Sequence, residues 1–145
     1  MRDFDMTRRV KFFIFWLPPV FWAGVIFYFS SIPSLESGLA VSVDWVLRKV
    51  AHMGVYAVLA ALLFRAFRTG HATELKKAAC FAAVFAIGYA LTDELHQLYV
   101  PGRHGRLRDV GIDALGAALA VIALFRKHRA VHPVQPPQHP GADYV

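Results

Sequence analysis

Polar side chains recur at helical spacing in three short segments of an otherwise apolar chain. The three sets are Lys49, His52 and Tyr56; Asp93, His96 and Gln97; and Asp109 and Asp113. Residues three, four or seven positions apart share one face of a helix, so each set is expected to project together. A histidine near a carboxylate can act as a general base, and a cationic side chain can hold phosphate or carboxylate. The pattern predicts proton-transfer or anion-binding chemistry where these faces meet.

Residue type divides the candidates into two groups. The catalytic candidates are His52, Asp93, Glu94, His96 and Asp113. The ligand-binding candidates are Lys49, Gln97, Arg103 and Asp109. The histidines and carboxylates offer ligands suited to zinc, manganese or magnesium, but the chain has no HExxH segment and no cysteine pair. No metal site is therefore predicted, and the cofactor is left unknown.

The composition indicates that membrane-spanning helices position these residues. Of 145 residues, 57% are hydrophobic and only 18% are charged, which excludes a largely disordered chain and disfavours an ordinary soluble domain. The single cysteine, Cys80, excludes an internal disulfide framework. The net charge of +6 is interpreted as charge that flanks membrane spans, not as a surface for nucleic acid.

Four spans are predicted along the chain. Residues 12–35 form one run without charged residues, longer than the about 20 residues that a spanning helix needs. The other spans, residues 44–67, 78–100 and 107–125, reach that length only when polar residues are admitted. Asp44 is predicted to be the N-cap of the second span. Residues 31–43 fit either a short interfacial helix or a simple loop.

Lysine and arginine are distributed unevenly between the two sides of these spans. One side carries Arg2, Arg8, Arg9, Lys11, Arg65, Arg68, Lys76, Lys77, Arg126, Lys127 and Arg129, and the other carries Arg48, Lys49, Arg103, Arg106 and Arg108. The positive-inside rule puts the first side in the cytoplasm, so both termini are predicted to be cytoplasmic. Residues 1–130 would then form one all-α domain, an integral membrane bundle of four transmembrane helices. A proline-rich, disordered cytoplasmic tail is predicted for residues 131–145.

The predicted topology brings the polar segments to the outer face of the membrane. The second and fourth spans begin there and the third ends there, so their polar residues share one layer. Ionisable groups at membrane depth cost a few kcal/mol each unless they face protein or water, which favours a polar pocket that opens outward. Ser30 and Ser31 end the first span on the same side, so a Ser–His–Asp relation is conceivable, although no G-x-S-x-G segment supports it. A purely structural set of ion pairs is the alternative.

Several segments carry a resemblance to one known family. They are Ser30-Ser31-Ile32-Pro33, Arg48-Lys49-Val50-Ala51-His52, Tyr56-Ala57-Val58-Leu59, Thr92-Asp93-Glu94-Leu95-His96-Gln97, Val100-Pro101-Gly102-Arg103 and Asp109-Val110-Gly111-Ile112-Asp113. Together they look like the VanZ-like family, and the resemblance covers residues 12–125. It implies a small polytopic protein of the bacterial inner (cytoplasmic) membrane, linked through the family's namesake to teicoplanin resistance in the cell envelope. The resemblance names a process and not a reaction.

The residues and the resemblance together predict a polar extracytoplasmic pocket. It would bind or process a lipid-linked cell-wall precursor or a lipoglycopeptide, with membrane lipids around it and no nucleic acid as partner. Two alternatives stay open: an intramembrane hydrolase or transferase acting on a lipid head group, and an ion-paired bundle without chemistry of its own. A proton-coupled carrier is less favoured, because four helices are few for one and no inverted repeat is visible. The oligomeric state is not predicted.

Overall fold

The computed structural model describes residues 2–33, 41–103 and 105–131, which form four helices and no strand. The helices are α1 (Arg2–Ser30), α2 (Val41–Arg65), α3 (Leu75–Gln97) and α4 (Leu107–Val131). A π-helical turn, Ala66–Gly70, prolongs α2. The all-α prediction is therefore confirmed for the described part of the chain.

Three of the helices are long and apolar enough to cross a membrane. The candidate spans are Val10–Ser30, Trp45–Gly70 and Leu75–Gln97. Helix α4 is not among them, because it carries carboxylates near its start and basic residues near its end. The chain is thus a membrane-type helical protein, and its fourth span and the side on which its termini lie stay predictions.

Helix boundaries differ from the predicted spans at several ends. Helix α3, for example, covers Leu75–Gln97 and not residues 78–100. Helix α1 ends at Ser30, before the predicted limit of residue 35. Residues 31–33 form a turn, and the last of them is Pro33. Proline disfavours the helical conformation in the residue that precedes it, which explains why the helix ends before Pro33. Helix α2 begins at Val41, so Asp44 lies inside its first turn and its prediction as the N-cap was wrong. Helix α4 continues to Val131, past the predicted limit of residue 125.

The extended end of α4 is basic, as the negative end of a helix dipole favours. The predicted disordered tail, apart from Val131, and most of the predicted interfacial segment lie outside the described residues. Val131 itself is the last residue of α4.

Helices α2, α3 and α4 pack against one another and form the core. On α3, one alanine in every fourth position is fully buried, at Ala78, Ala82, Ala86 and Ala90. Small residues at helix contacts let membrane helices approach closely. A glycine has the same effect on α4, where Gly116 lies so close to the backbone of Met53 that a Cβ atom would not fit.

Helix α1 is peripheral in this arrangement. It contacts α2, the π-helical turn and α3, but within the described residues it has no contact with α4. Two side-chain bonds to backbone hold its middle: Tyr89 Oη donates to Ala23 O at 2.6 Å, and Trp22 Nε1 donates to Val55 O at 2.9 Å. The peripheral position leaves space between α1 and α2, which becomes important at the functional site.

Candidate functional site

The buried polar side chains of the described residues all lie at one end of the bundle. They are Ser30, Asp93, Glu94, Gln97, Asp109 and Asp113. They come from the end of α1, the end of α3 and the start of α4, and the start of α2 adds Lys49 and His52. We call this end of the molecule the polar end. The convergence predicted from helical spacing is thus present in the fold.

Two pairs, each made of a basic side chain on α2 and an aspartate on α4, join these helices at the polar end. Lys49 Nζ lies 2.6 Å from Asp109 Oδ2, and one helical turn deeper His52 Nδ1 lies 3.5 Å from Asp113 Oδ1. The spacing of three residues on α2 and four on α4 brings both pairs into register. Asp109 is therefore the ion-pair partner of Lys49, which leaves Asp113 to His52 alone.

Glu94 joins α3 to the loop that precedes α4. Its Oε2 accepts a hydrogen bond from the backbone N–H of Arg106 at 2.8 Å. The loop reaches this position because Gly105 lies against the backbone carbonyl of Glu94, where a Cβ atom would clash. A glycine that the sequence analysis passed over therefore sets the position of one of the candidate carboxylates.

Three of the five catalytic candidates come together as one cluster. His52, Glu94 and Asp113 each contribute one possible ligand atom, a ring nitrogen or a carboxylate oxygen, and these three atoms lie within 4.8 Å of one another. The three residues stand on three different helices, so no local motif could have shown the cluster. Asp113 is only 1% exposed, and neither of its carboxylate oxygens has a hydrogen-bond partner.

Asp93 belongs to a separate network that ties α3 to the end of α1. Ser30 Oγ donates to Asp93 Oδ2 at 2.7 Å. Gln97 Nε2 donates to Ser30 Oγ at 3.1 Å and to Asp93 Oδ2 at 3.2 Å. All three side chains are buried. Their geometry holds two helix ends together, and Asp93 Oδ1 remains without a hydrogen-bond partner.

His96 faces α1 and not the cluster. Its ring lies 4.5 Å from the ring of Phe27, measured between centroids, and its Nε2 lies 3.0 Å from Ser31 Oγ. The Ser31 hydroxyl donates its single proton to Phe27 O at 2.7 Å. In the tautomer that carries its hydrogen on Nε2, His96 donates to Ser31 Oγ, and the pair is then not arranged as a base that deprotonates a serine.

Arg103 anchors the α3–α4 loop to the end of α1. Its Nη2 donates to Phe29 O at 2.9 Å and its Nε donates to Ile32 O at 3.1 Å. Carbonyls at a helix C-terminus lack partners within the helix, and the guanidinium satisfies them. Burial lowers the pKa of this guanidinium from its ordinary value, as does the nearby charge of Arg48. A residue predicted to bind ligand therefore also has a structural task.

Two adjoining cavities open at the polar end. A polar cavity of about 270 Å³ is lined by Lys49, Glu94 and Arg106 among others, and an apolar cavity of about 220 Å³ between α1 and α2 is lined mainly by Val25, Ile26, Phe29, Ala51 and Val55. Three side chains line both cavities: Arg48, His52 and Arg103. His52 thus stands where a polar space meets an apolar one.

The structure therefore divides the predicted residues into groups. His52, Glu94 and Asp113 form the cluster, with Lys49 and Asp109 paired beside it. Asp93 and Gln97 bind Ser30, His96 contacts Ser31, and Arg103 contacts the end of α1. The sequence suggests Ser30 and Ser31 only as possible nucleophiles. Their position at the end of an apolar helix is the signal that could have predicted a contact with α3.

The model of the family described as VanZ/LLP1 matches residues 12–128, most of the chain. No curated protein and no solved structure matches it.

Proposed function

The chain belongs to the VanZ/LLP1 family, and from that premise we propose that it binds a lipid-linked anionic molecule of the bacterial cell envelope. The head group would occupy the polar cavity and the acyl or isoprenyl chain the apolar cavity. The class includes lipid-linked wall precursors and acylated glycopeptides such as teicoplanin, to which the resemblance to the VanZ-like family points. The protein would be a multi-pass protein of the inner membrane.

One observation carries the proposal: the two cavities adjoin and share Arg48, His52 and Arg103. An amphipathic ligand needs an apolar space and a charged space side by side. Ligand sites are mostly apolar with a few placed polar groups. Guanidinium groups suit phosphate and carboxylate because their planar donors match those oxygens. The lining of these cavities therefore fits a head group that bears phosphate or carboxylate.

The proposed orientation places the polar end on the extracytoplasmic side. It rests on the distribution of lysine and arginine, with most of them near the opposite ends of the helices. Four spans and two cytoplasmic termini follow from that orientation. Lipid-linked wall precursors and acylated glycopeptides are both presented at the outer leaflet, so the proposed ligands and the proposed site share one side of the membrane.

The test is native mass spectrometry of the protein released from phosphatidylglycerol nanodiscs that contain a polyprenyl monophosphate or, separately, teicoplanin. We expect a discrete adduct on the wild-type chain. Ala51→Phe should remove it, because Ala51 lines the apolar cavity and a larger side chain there fills the space. Absence of any adduct from the wild-type chain with both probes would contradict the proposal.

The matched control is Val58→Phe on the same helix. Val58 is exposed and lines neither of the two cavities. The same aromatic ring added there should leave the adduct unchanged. Equal loss from both variants would mean that a bulkier α2 disturbs the bundle, and the apolar cavity would then have no specific part in binding.

A second candidate function, hydrolysis or transfer at the head group, is favoured by the His52, Glu94 and Asp113 cluster. Carboxylates and an imidazole within 4.8 Å of one another are suited to proton transfer. Asp113→Asn separates the two candidates. If the protein is an enzyme, the variant should lose hydrolysis or transfer at the head group and keep the adduct. If it is a binding protein, neither the wild-type chain nor the variant should show that reaction.

A further inference from the structure

We propose that His52, Glu94 and Asp113 bind one divalent cation, zinc or manganese, at the buried side of the polar cavity. The inference rests on the proposed function, because the cation would supply that cavity with a positive charge for an anionic head group. It concerns three side chains from α2, α3 and α4, none of which belongs to a metal-binding motif in the sequence.

The separation of the donor atoms supports the cation. The ligand atoms of the three residues lie within 4.8 Å of one another, and His52 Nδ1 lies 3.5 Å from Asp113 Oδ1. Ligand bonds to zinc of about 2.0–2.2 Å put neighbouring donors of a tetrahedral site roughly 3.4 Å apart. The three donors therefore reach one ion through a small inward movement of side chains, without a change in the helices.

The charges at this position also support the cation. Arg108 Nε lies 3.6 Å from Asp109 Oδ1, so this arginine is directed to Asp109 and not to the cluster. Lys49, one turn away from His52, is paired with Asp109. Buried carboxylates without a partner are costly, so proteins pair them or bind a metal. A divalent cation would neutralise the two carboxylates together.

Asp113 provides an independent observation that points to a ligand. Its side chain is 99% buried, and neither oxygen has a hydrogen-bond partner. His52 Nδ1 likewise has no hydrogen-bond partner. Both groups point at each other inside the cluster. Buried polar atoms in native proteins nearly always have a partner, and a bound ion can serve as that partner for a carboxylate and an imidazole.

The chemistry of the donors selects the kind of ion. One imidazole nitrogen and two carboxylate oxygens suit zinc or manganese, whereas copper(I) and iron–sulfur clusters prefer thiolates. Three protein ligands leave at least one position of the ion open. His52 and Glu94 both line the polar cavity, so the open position would face the space proposed for the head group.

The test uses the full chain in nanodiscs, stripped with EDTA and then titrated with Zn²⁺ and, separately, Mn²⁺. We expect the wild-type chain to bind one equivalent of at least one of these ions. His52→Gln should weaken binding by more than about 100-fold, since loss of a mere outer partner of a ligand already costs 10–100-fold. Asp113→Asn should act in the same direction, and His52→Gln carries the test if that variant fails to fold.

The matched control is His96→Gln, a second histidine near the polar end that faces Ser31 and Phe27. This variant should bind the ion as the wild-type chain does. The inference is overturned if the wild-type chain binds neither ion at millimolar concentration, or if His52→Gln binds as tightly as the wild-type chain. His52 and Asp113 would then be a charged pair that only joins α2 to α4.

The two proposals fail separately in this experiment. Adduct formation with the polyprenyl monophosphate and, separately, with teicoplanin is recorded on the same stripped and reloaded samples. An adduct without a bound ion overturns the metal site and leaves the proposed function standing. A bound ion without any adduct overturns the proposed function and leaves the metal site standing.

Discussion

The carboxylates at the polar end differ in how well their oxygens are satisfied. Asp109 has Lys49 as an ion-pair partner, Glu94 has a backbone N–H, and Asp93 has a serine and an amide. Asp113 has only His52 at 3.5 Å. A buried acceptor that loses its donor keeps its desolvation cost. Deletion of a partner should therefore lower the free energy of unfolding more when the carboxylate is more deeply buried.

Ser30→Ala tests this for Asp93. Removal of the Ser30 hydroxyl leaves Asp93 Oδ2 with Gln97 as its remaining donor. We expect a loss of about 1–3 kcal/mol in the free energy of unfolding, because the carboxylate stays buried. Denaturation in detergent, followed by tryptophan fluorescence, measures the loss.

Ser31→Ala is the control for that measurement. Ser31 is only partly buried, and its hydroxyl donates to Phe27 O and lies 3.0 Å from His96 Nε2, with no buried carboxylate as a partner in either contact. Its removal should cost clearly less than removal of the Ser30 hydroxyl. Equal losses from the two neighbouring serines would contradict a special role for the Ser30–Asp93 bond.

Arg103→Lys tests the contact between the α3–α4 loop and α1. A lysine keeps the charge, but its single ammonium cannot bond both Phe29 O and Ile32 O as the guanidinium does. Hydrogen exchange of the amides near the end of α1 should accelerate. Arg106→Lys is the control, since Arg106 contacts Glu94 through its backbone N–H; a similar acceleration in that variant would contradict the assignment.

Sequence reasoning predicted the residues of the polar end better than their partners. The predicted topology placed His52, Asp93, Glu94 and Asp113 in one layer. The i, i+3 and i, i+4 spacing separately put His52, Asp93 and Asp113 on helix faces shared with other polar residues. It could not show that Asp93 turns to α1 and Asp113 to α2. That choice depends on how helices are rotated against each other, which Gly105 and Gly116 help to set through contacts with backbone on other helices.

At the scale of the element, close approach of helices decides which pairs can form. Gly116 on α4 lies against the backbone of Met53, one residue after His52. The Lys49–Asp109 and His52–Asp113 pairs join the same two helices. A shift of α4 away from α2 would therefore separate both pairs at once.

Gly116→Ala should produce such a shift. A Cβ atom there meets backbone atoms that cannot rotate away, and we expect a loss of about 1–3 kcal/mol in unfolding free energy, as in other overpacked sites. Gly111→Ala on the same helix is the matched control. Nothing lies within 4 Å of a Cβ atom at Gly111, so that variant should be neutral or stabilising. A Gly116→Ala protein as stable as the Gly111→Ala protein would show that α2 and α4 tolerate a wider separation.

Helix limits were the weakest part of the sequence prediction at this scale. The apolar run to residue 35 suggested a longer α1, but the chain leaves the helix before Pro33. The absence of charged residues continues through that turn, so the length of the uncharged run alone cannot locate the end. The N-cap expected at Asp44 failed similarly, because Val41 to Val43 are already helical.

At the scale of the whole molecule, cysteine labelling tests the side of the membrane on which the polar end lies. The chain has one cysteine, Cys80, so a Cys80→Ser background permits single reporter cysteines. With the polar end outside, Pro33→Cys and Pro101→Cys should react with a membrane-impermeant maleimide in intact cells. Thr69→Cys and Val131→Cys should react only after permeabilisation.

Each of these four reporter positions is exposed and lies at an end of the bundle. The reverse labelling pattern would put the polar end in the cytoplasm and contradict the proposed access to outer-leaflet ligands. Labelling of Thr69→Cys and Val131→Cys on opposite sides would contradict the fourth span.

If α4 is the predicted fourth span, the order in which the helices leave the ribosome gives the α2–α4 pairs a part in membrane insertion. Lys49 and His52 enter with the second helix, and their partners Asp109 and Asp113 arrive with the last one. Helix α4 is also the one that lacks the apolarity of a candidate span. A charged residue costs roughly 2.5–3.5 kcal/mol when a lone helix enters the bilayer centre. Helix α2 thus holds the groups that would lower this cost, so α4 as a span is expected to be integrated as a partner of α2 and not as an independent segment.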